Sequence, residues 1–248
     1  MALPVYDAIA EWYAAYVQNS PAHSLALPAV LELCGNVTGQ QVCDLACGEG
    51  IVARALAERG AVVTGIDLSI RLLEIASRQE QAAPLGISYL QGDAQTLDNI
   101  PDARFDTVVC NLALMDFPDL PATLATVARL LRPQGRFVFT IVHPCFQTPD
   151  SRWTGKAGGT VKREVRAYFR EGYWRSDNPN GVRGNAGCYH RTLSAYVNAL
   201  TEVGLIVERM AEPQAQDEVS ARVPGYREVP VILAVRCILM RPMSASTA

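Results

Sequence analysis

Short runs rich in Val, Ile, Leu and Phe alternate with stretches of helical period along most of the chain, and that alternation admits few folds. The runs are Gln41 to Leu45, Ala61 to Ile66, Ile87 to Leu90, Thr107 to Cys110, Arg136 to Val142, Leu205 to Met210 and Val231 to Leu239, all of strand length. Gly50 to Arg59, stopped by Gly60, separates the first two. After the second, Ser69 is placed to cap a helix whose Leu72, Ile75 and Ala76 share one face. Thr192 is placed to cap another, with Leu193, Tyr196, Val197 and Leu200 on its stripe and Gly204 at its end. Strands apolar at nearly every position are buried on both sides, so the pattern predicts an α/β fold with a parallel sheet covered by helices on both faces.

Two segments break the rhythm. Residues 1–35 read as two N-terminal helices, Tyr6 to Val17 and Ser24 to Cys34, interrupted at Asn19, Ser20 and Pro21. Residues 143–190 separate the fifth strand from the helix at Thr192 and are rich in Gly, Asn, Arg and aromatics; a connection that long is a lid or a substrate-binding insertion. The chain thus divides into those helices, a core at 36–142, the insertion, and a C-terminal part of the sheet at 191–248, all within one domain.

With 49% hydrophobic residues, a chain of 248 residues is neither disordered nor of low complexity. No apolar run is long enough to span a bilayer, and Met1 to Tyr6 lacks the basic start and apolar stretch of a signal peptide, so the expectation is a cytoplasmic protein without membrane partners. Seven cysteines without a CxxC, and no Asp, Glu and His cluster of metal-ligand spacing, argue for buried reduced thiols and no metal.

Charge is uneven. Ser151 to Arg191 holds nine basic residues against three acidic ones, although the whole chain carries a net charge of -3. Trp153, Tyr168, Phe169, Tyr173 and Trp174 are interleaved with those bases, which suits an anionic or aromatic small molecule. The negative total argues against nucleic acid.

The most informative stretch is Val42-Cys43-Asp44-Leu45-Ala46-Cys47-Gly48-Glu49-Gly50: a strand ends at an acid, the chain turns through small residues, and a helix begins. Gly48-x-Gly50-x-x-Ala53 also satisfies a dinucleotide fingerprint, with Asp67 at the end of the second strand to take ribose hydroxyls. Asp44 discriminates, because a carboxylate there repels a pyrophosphate but suits a cationic ligand.

On these residues the chain resembles the class I S-adenosylmethionine-dependent methyltransferases, in particular the small-molecule enzymes with the Asp-Leu-x-Cys-Gly-x-Gly signature. The resemblance continues through Val62 to Ser69, through Gln91-Gly92-Asp93-Ala94, through Phe105 to Asn111, and through Leu130 to Phe137; the one departure is Ala46, where Gly is commonest. It implies a Rossmann-like, doubly wound, mostly parallel seven-stranded sheet with a reversed C-terminal strand, Val231 to Leu239. It also implies S-adenosylmethionine as methyl donor and S-adenosylhomocysteine as product. Under it, Ala46, Gly48 and Gly50 lie against the methionine and ribose part. Asp67 takes the ribose hydroxyls, Leu68 packs on the adenine, and Asp93 and Ala94 meet its edge. Asp44 and Asn111 meet the ammonium. Tyr6 and Tyr13 resemble positions that close over the cofactor, although their spacing with Ile9 and Trp12 also fits a packed stripe.

The methyl acceptor implied is a small molecule, methylated on O or N by a monomer or homodimer. His143, at the end of strand five, and His190, before the last crossover helix, are the candidate bases, whereas His23 follows Pro21 in a turn and reads as structural or exposed. Two alternatives remain open at this point: a nicotinamide-dependent dehydrogenase, and a non-catalytic S-adenosylmethionine-binding regulatory domain.

Overall fold

The computed structural model describes residues 4–155 and 161–240. Three sequence expectations reach outside that range: the position of Lys156, one of the nine bases of the insertion, the character of residues 1–3, and the end of the C-terminal part at 241–248.

Two helices, α1 (Val5–Val17) and α2 (Pro21–Cys34), precede the sheet. Then β1 (Gln41–Leu45), α3 (Ile51–Ala57), β2 (Val62–Asp67), α4 (Ile70–Ala82), β3 (Ser88–Gln91), β4 (Phe105–Asn111), α5 (Leu120–Leu130) and β5 (Leu131–Val142) alternate. The insertion follows, holding β6 (Arg152–Thr154), β7 (Lys162–Glu164), β8 (Gly172–Trp174), α6 (Val182–Asn185) and β9 (Cys188–His190). The chain returns through α7 (Leu193–Glu202), β10 (Leu205–Ala211), α8 (Asp217–Arg222) and β11 (Ile232–Leu239).

Seven strands form the central sheet in the order β10-β11-β5-β4-β1-β2-β3. β1 pairs in parallel with β2 on one side and β4 on the other, so the strand order reverses between them. That switch opens a crevice beyond the carboxyl ends of the strands. β11 is the reversed strand, antiparallel to both β5 and β10.

Both faces of the sheet are buried, as continuous apolar strands require. In β1 the two-residue period sends Cys43 and Leu45 into the larger core cluster with Phe137, Phe139 and Leu124. Val42 goes to the other face, with Val52, Ala53 and Leu56 of α3. Asp44 shares the Val42 face, so its carboxyl is directed under α3.

The helices form where capping and apolar spacing agree. Ser69 accepts from the Leu72 amide and Thr192 from the Ala195 amide, as read from sequence. α2 starts three residues earlier than the sequence reading, because Pro21 occupies its first turn, where the missing N–H is no loss. The insertion is not irregular: β6 pairs with β7 and β8 with β9, both antiparallel.

Candidate functional site

A cavity of about 350 Å³ lies at the switch point, walled by Leu45, Asp67, Asp93 and Asn111 from the ends of β1 to β4. Ala46, Gly48, Leu68 and Ala94 complete that side, and Tyr6 and Tyr13 of α1 close it. Three carboxylates line it, Asp67, Asp93 and Asp116, with no Lys, Arg or His.

The loop between β1 and α3 is held by its neighbour strand. Asp67 Oδ2 accepts from the Gly48 amide at 2.8 Å, and Oδ1 accepts from the Ser69 amide at 2.8 Å. Burial raises the Asp67 carboxyl above the usual range, and those two amides oppose the shift. Ala46 has φ 58 and Gly48 φ 57, left-handed conformations that explain why glycine is the common residue at the first of these positions. Asn111 Oδ1 accepts from the Thr140 hydroxyl at 2.6 Å, whose oxygen in turn accepts from the Leu112 amide at 3.0 Å, fixing the end of β4. Asp93 Oδ1 accepts from the Gln95 amide at 2.9 Å. Leu68 is 47% exposed, an apolar platform in the cavity wall.

Two expected cofactor contacts lie elsewhere. Gly50 stands outside the wall; a Cβ there would come within 2.4 Å of Tyr89 Oη, so the glycine makes room for Tyr89. Asp44 is 1% exposed behind the loop, and its Oδ2 has no hydrogen-bond partner among the described residues. Burial pushes Asp44 up to about 8 and Glu49, also buried, up to about 7. An unfolded carboxyl titrates at about 4, so over this window the folded chain holds protons that the unfolded chain has shed. Stability should therefore fall as pH climbs from about 4 to about 8. Melting should occur at higher temperature at pH 5.5 than at pH 8, and Asp44→Asn should reduce the difference; a wild-type protein with equal melting temperatures at the two pH values would contradict this.

A second cavity, about 570 Å³, lies beneath the insertion. Its wall includes Tyr16, Ser20, His23, Trp153, Arg163, Trp174 and Arg183, and it shares Tyr6, Tyr13 and Leu112 with the first. Tyr6 donates to Asp116 Oδ2 at 2.7 Å, and Arg183 reaches Asp116 Oδ1 at 2.5 Å, so an ion pair ties the insertion to the first cavity. Three buried polar atoms of the second wall have no partner among the described residues: Ser20 Oγ, His23 Nδ1 and Trp174 Nε1.

Neither histidine expected as a base lines either cavity. His143 Nδ1 accepts from the Cys145 amide at 3.2 Å, so Nε2 carries the hydrogen and donates it to Glu212 at 2.8 Å. His190 Nε2 donates to the Tyr168 carbonyl at 2.8 Å. The two rings pin the beginning and the end of the insertion. His23, read from sequence as structural or exposed, is the histidine in the wall. Its Nε2 lies 3.5 Å from Tyr13 Oη, and burial, with the Arg183 charge, lowers it to about 4, so the ring is neutral at physiological pH. Asp116 was also absent from the sequence reading; its signal is a lone acid in the apolar run Leu112 to Phe117.

A doubly wound sheet with an acid-lined crevice at its switch point defines a binder of a nucleoside-type cofactor. Residues 43–139 match the family model described as Methyltransferase domain. Among solved structures, an S-adenosylmethionine dependent methyltransferase from Mesorhizobium loti is 30% identical with a TM-score of 0.73, the match covering 90% of this chain and 99% of that one. The ubiquinone biosynthesis O-methyltransferase of Alkalilimnicola ehrlichii is 32% identical over 142 residues, 56% of this chain and 58% of that protein, so the chain spans little more than half the length of this curated relative. An uncharacterized protein of Haemophilus influenzae is 29% identical over 77% of each chain. The chain belongs to the S-adenosylmethionine-dependent methyltransferases. That membership removes the nicotinamide dehydrogenase alternative. The first cavity fits the donor in charge: Asp116 is matched by Arg183, but Asp67 and Asp93 have no basic side chain beside them among the described lining residues, and two such carboxylates favour a sulfonium and an ammonium and oppose a pyrophosphate.

Proposed function

We propose that this chain moves the methyl group of S-adenosylmethionine to an oxygen or nitrogen of a small aromatic or anionic molecule bound in the second cavity. The observation that carries this reading is the shared wall: Tyr6, Tyr13 and Leu112 border both cavities, so ligands in the two would meet there. The volume beneath the insertion also favours turnover over a purely regulatory role, since that space is not filled by side chains.

When bound, the cofactor supplies an electrophilic methyl, and the protein's part is to hold, align and dry the reactants. In this reading Asp67 accepts from the ribose hydroxyls and Leu68 lies against the adenine, whose edge Asp93 and the Ala94 amide meet. The backbone at Ala46 and Gly48, with Asn111, borders the methionine part. Trp153, Arg163 and Trp174 of the insertion border the acceptor. His23, neutral and with Nδ1 unpartnered, receives the acceptor's proton.

S-adenosylhomocysteine should bind with an affinity on the order of micromolar in calorimetry, and NAD should not. Mass spectrometry over a panel of phenols and amines should find a methylated product, formed more slowly by His23→Gln and at the wild-type rate by His143→Gln. Absence of both binding and product would end the proposal; an unaltered rate in His23→Gln would end the role given to His23.

A further inference from the structure

Arg163 is a cation without a counter-charge among the described residues. Its Nε donates to the Phe146 carbonyl at 2.8 Å, and Nη2 donates to Gln147 Oε1 at 2.8 Å and Ser151 Oγ at 2.6 Å. The guanidinium carbon stands 4.9 Å from the centre of the Trp153 ring. The group is therefore fixed in place by four contacts, all neutral. No carboxylate among the described residues lies within ion-pair distance of it. In the same wall, Arg183 is matched by Asp116, and Arg152 pairs with Glu164, a carboxylate that Arg166 shares. Burial depresses the Arg163 pKa, the mark of a charge that water solvates poorly.

The other charges of the wall are exposed or paired. Arg175 has no ion-pair partner either, but it donates to the Gly184 and Asn185 carbonyls, and Asp177 stands in the same wall without a partner of its own. Asp150 is matched by Arg170. Arg163 is thus the partly buried cation of the wall without a counter-ion among the described residues, which suits an anionic group on the ligand. Nη1 of Arg163 is the guanidinium nitrogen without a protein acceptor, and the rings of Trp153 and Trp174 give the cavity flat apolar walls.

We propose that the second cavity takes a planar carboxylic acid, with its carboxylate paired to Arg163 and its ring between the tryptophans. This rests on the reading of that cavity as the acceptor site. The acid so held carries the hydroxyl or amine to be methylated elsewhere on its ring.

Calorimetry with 4-hydroxybenzoate and with its uncharged amide, 4-hydroxybenzamide, on protein saturated with S-adenosylhomocysteine, tests the pairing. The acid should bind about tenfold or more tightly than the amide, the value of a charge-assisted hydrogen bond in a partly buried site. Arg163→Gln should abolish that preference, while Arg163→Lys keeps part of it. Unchanged S-adenosylhomocysteine binding in both variants shows that the fold is intact. Equal binding of the two probes, binding of neither, or an acid preference that survives in Arg163→Gln would overturn the proposal. Failure of the wild-type protein to bind S-adenosylhomocysteine is a separate result, which would remove the methyltransferase reading beneath it.

Discussion

Asp67→Ala should weaken S-adenosylhomocysteine binding by on the order of a hundredfold, about 2.7 kcal/mol. The carboxylate has two tasks and the alanine performs neither. It receives the Gly48 and Ser69 amides, so its loss frees the loop after β1 and the turn into α4 together. Under the proposed reading it also accepts from the ribose. Asp67→Asn separates the tasks: Oδ1 still receives Ser69, but an amide nitrogen then faces the Gly48 N–H, donor against donor. The asparagine variant should keep the fold and lose most of the affinity. Binding as tight as wild type in the alanine variant would show that Asp67 only organises the loop.

The second large effect is on stability. Arg183→Met should destabilise the protein by about 3–5 kcal/mol, because it leaves Asp116 as a carboxylate without its counter-ion. Both side chains are only 18% exposed, and Tyr6 is bonded to the same carboxylate. For a chain of this length that corresponds to a melting temperature lower by about 10 °C. Replacing both partners, Arg183→Met with Asp116→Leu, should recover most of the loss, since the penalty lies in the unpaired charge and not in the absent pair. A single variant that melts with the wild type would show that water reaches Asp116 freely.

How much was legible in the sequence varies along the chain for identifiable reasons. The strands and the acids at their ends were readable because burial on both faces forces continuous apolar runs, and because the loop after β1 needs small residues. The helix α5 was not recognised, although Asp119 caps it by accepting from the Ala122 amide. Its end runs straight into β5 at Leu131, and the turn residues Pro133, Gln134 (φ 63) and Gly135 lie within that strand's span, not between helix and strand. Asp44 was misplaced because the motif fixes its position in the chain but not its face; the strand's two-residue period turns it under α3. The histidines were ranked by proximity to strand ends, whereas hydrogen bonds to Glu212, Cys145 and Tyr168 decide which rings are free. His23 reaches the second cavity from the first turn of α2, beside Tyr13 and Tyr16, and that placement depends on how the chain turns between α1 and α2, which has no local signature.

The position of β11 has a consequence for biosynthesis. It follows every other strand in the chain, yet it lies inside the sheet, pairing with β5 on one side and β10 on the other. During synthesis, β5 therefore offers an open apolar edge, and β10 has no strand to pair with, until β11 has left the ribosome. The sheet is completed last at an interior position, so a nascent chain arrested short of Ile232 carries two unpaired strands, and those are the edges that a chaperone would have to shield.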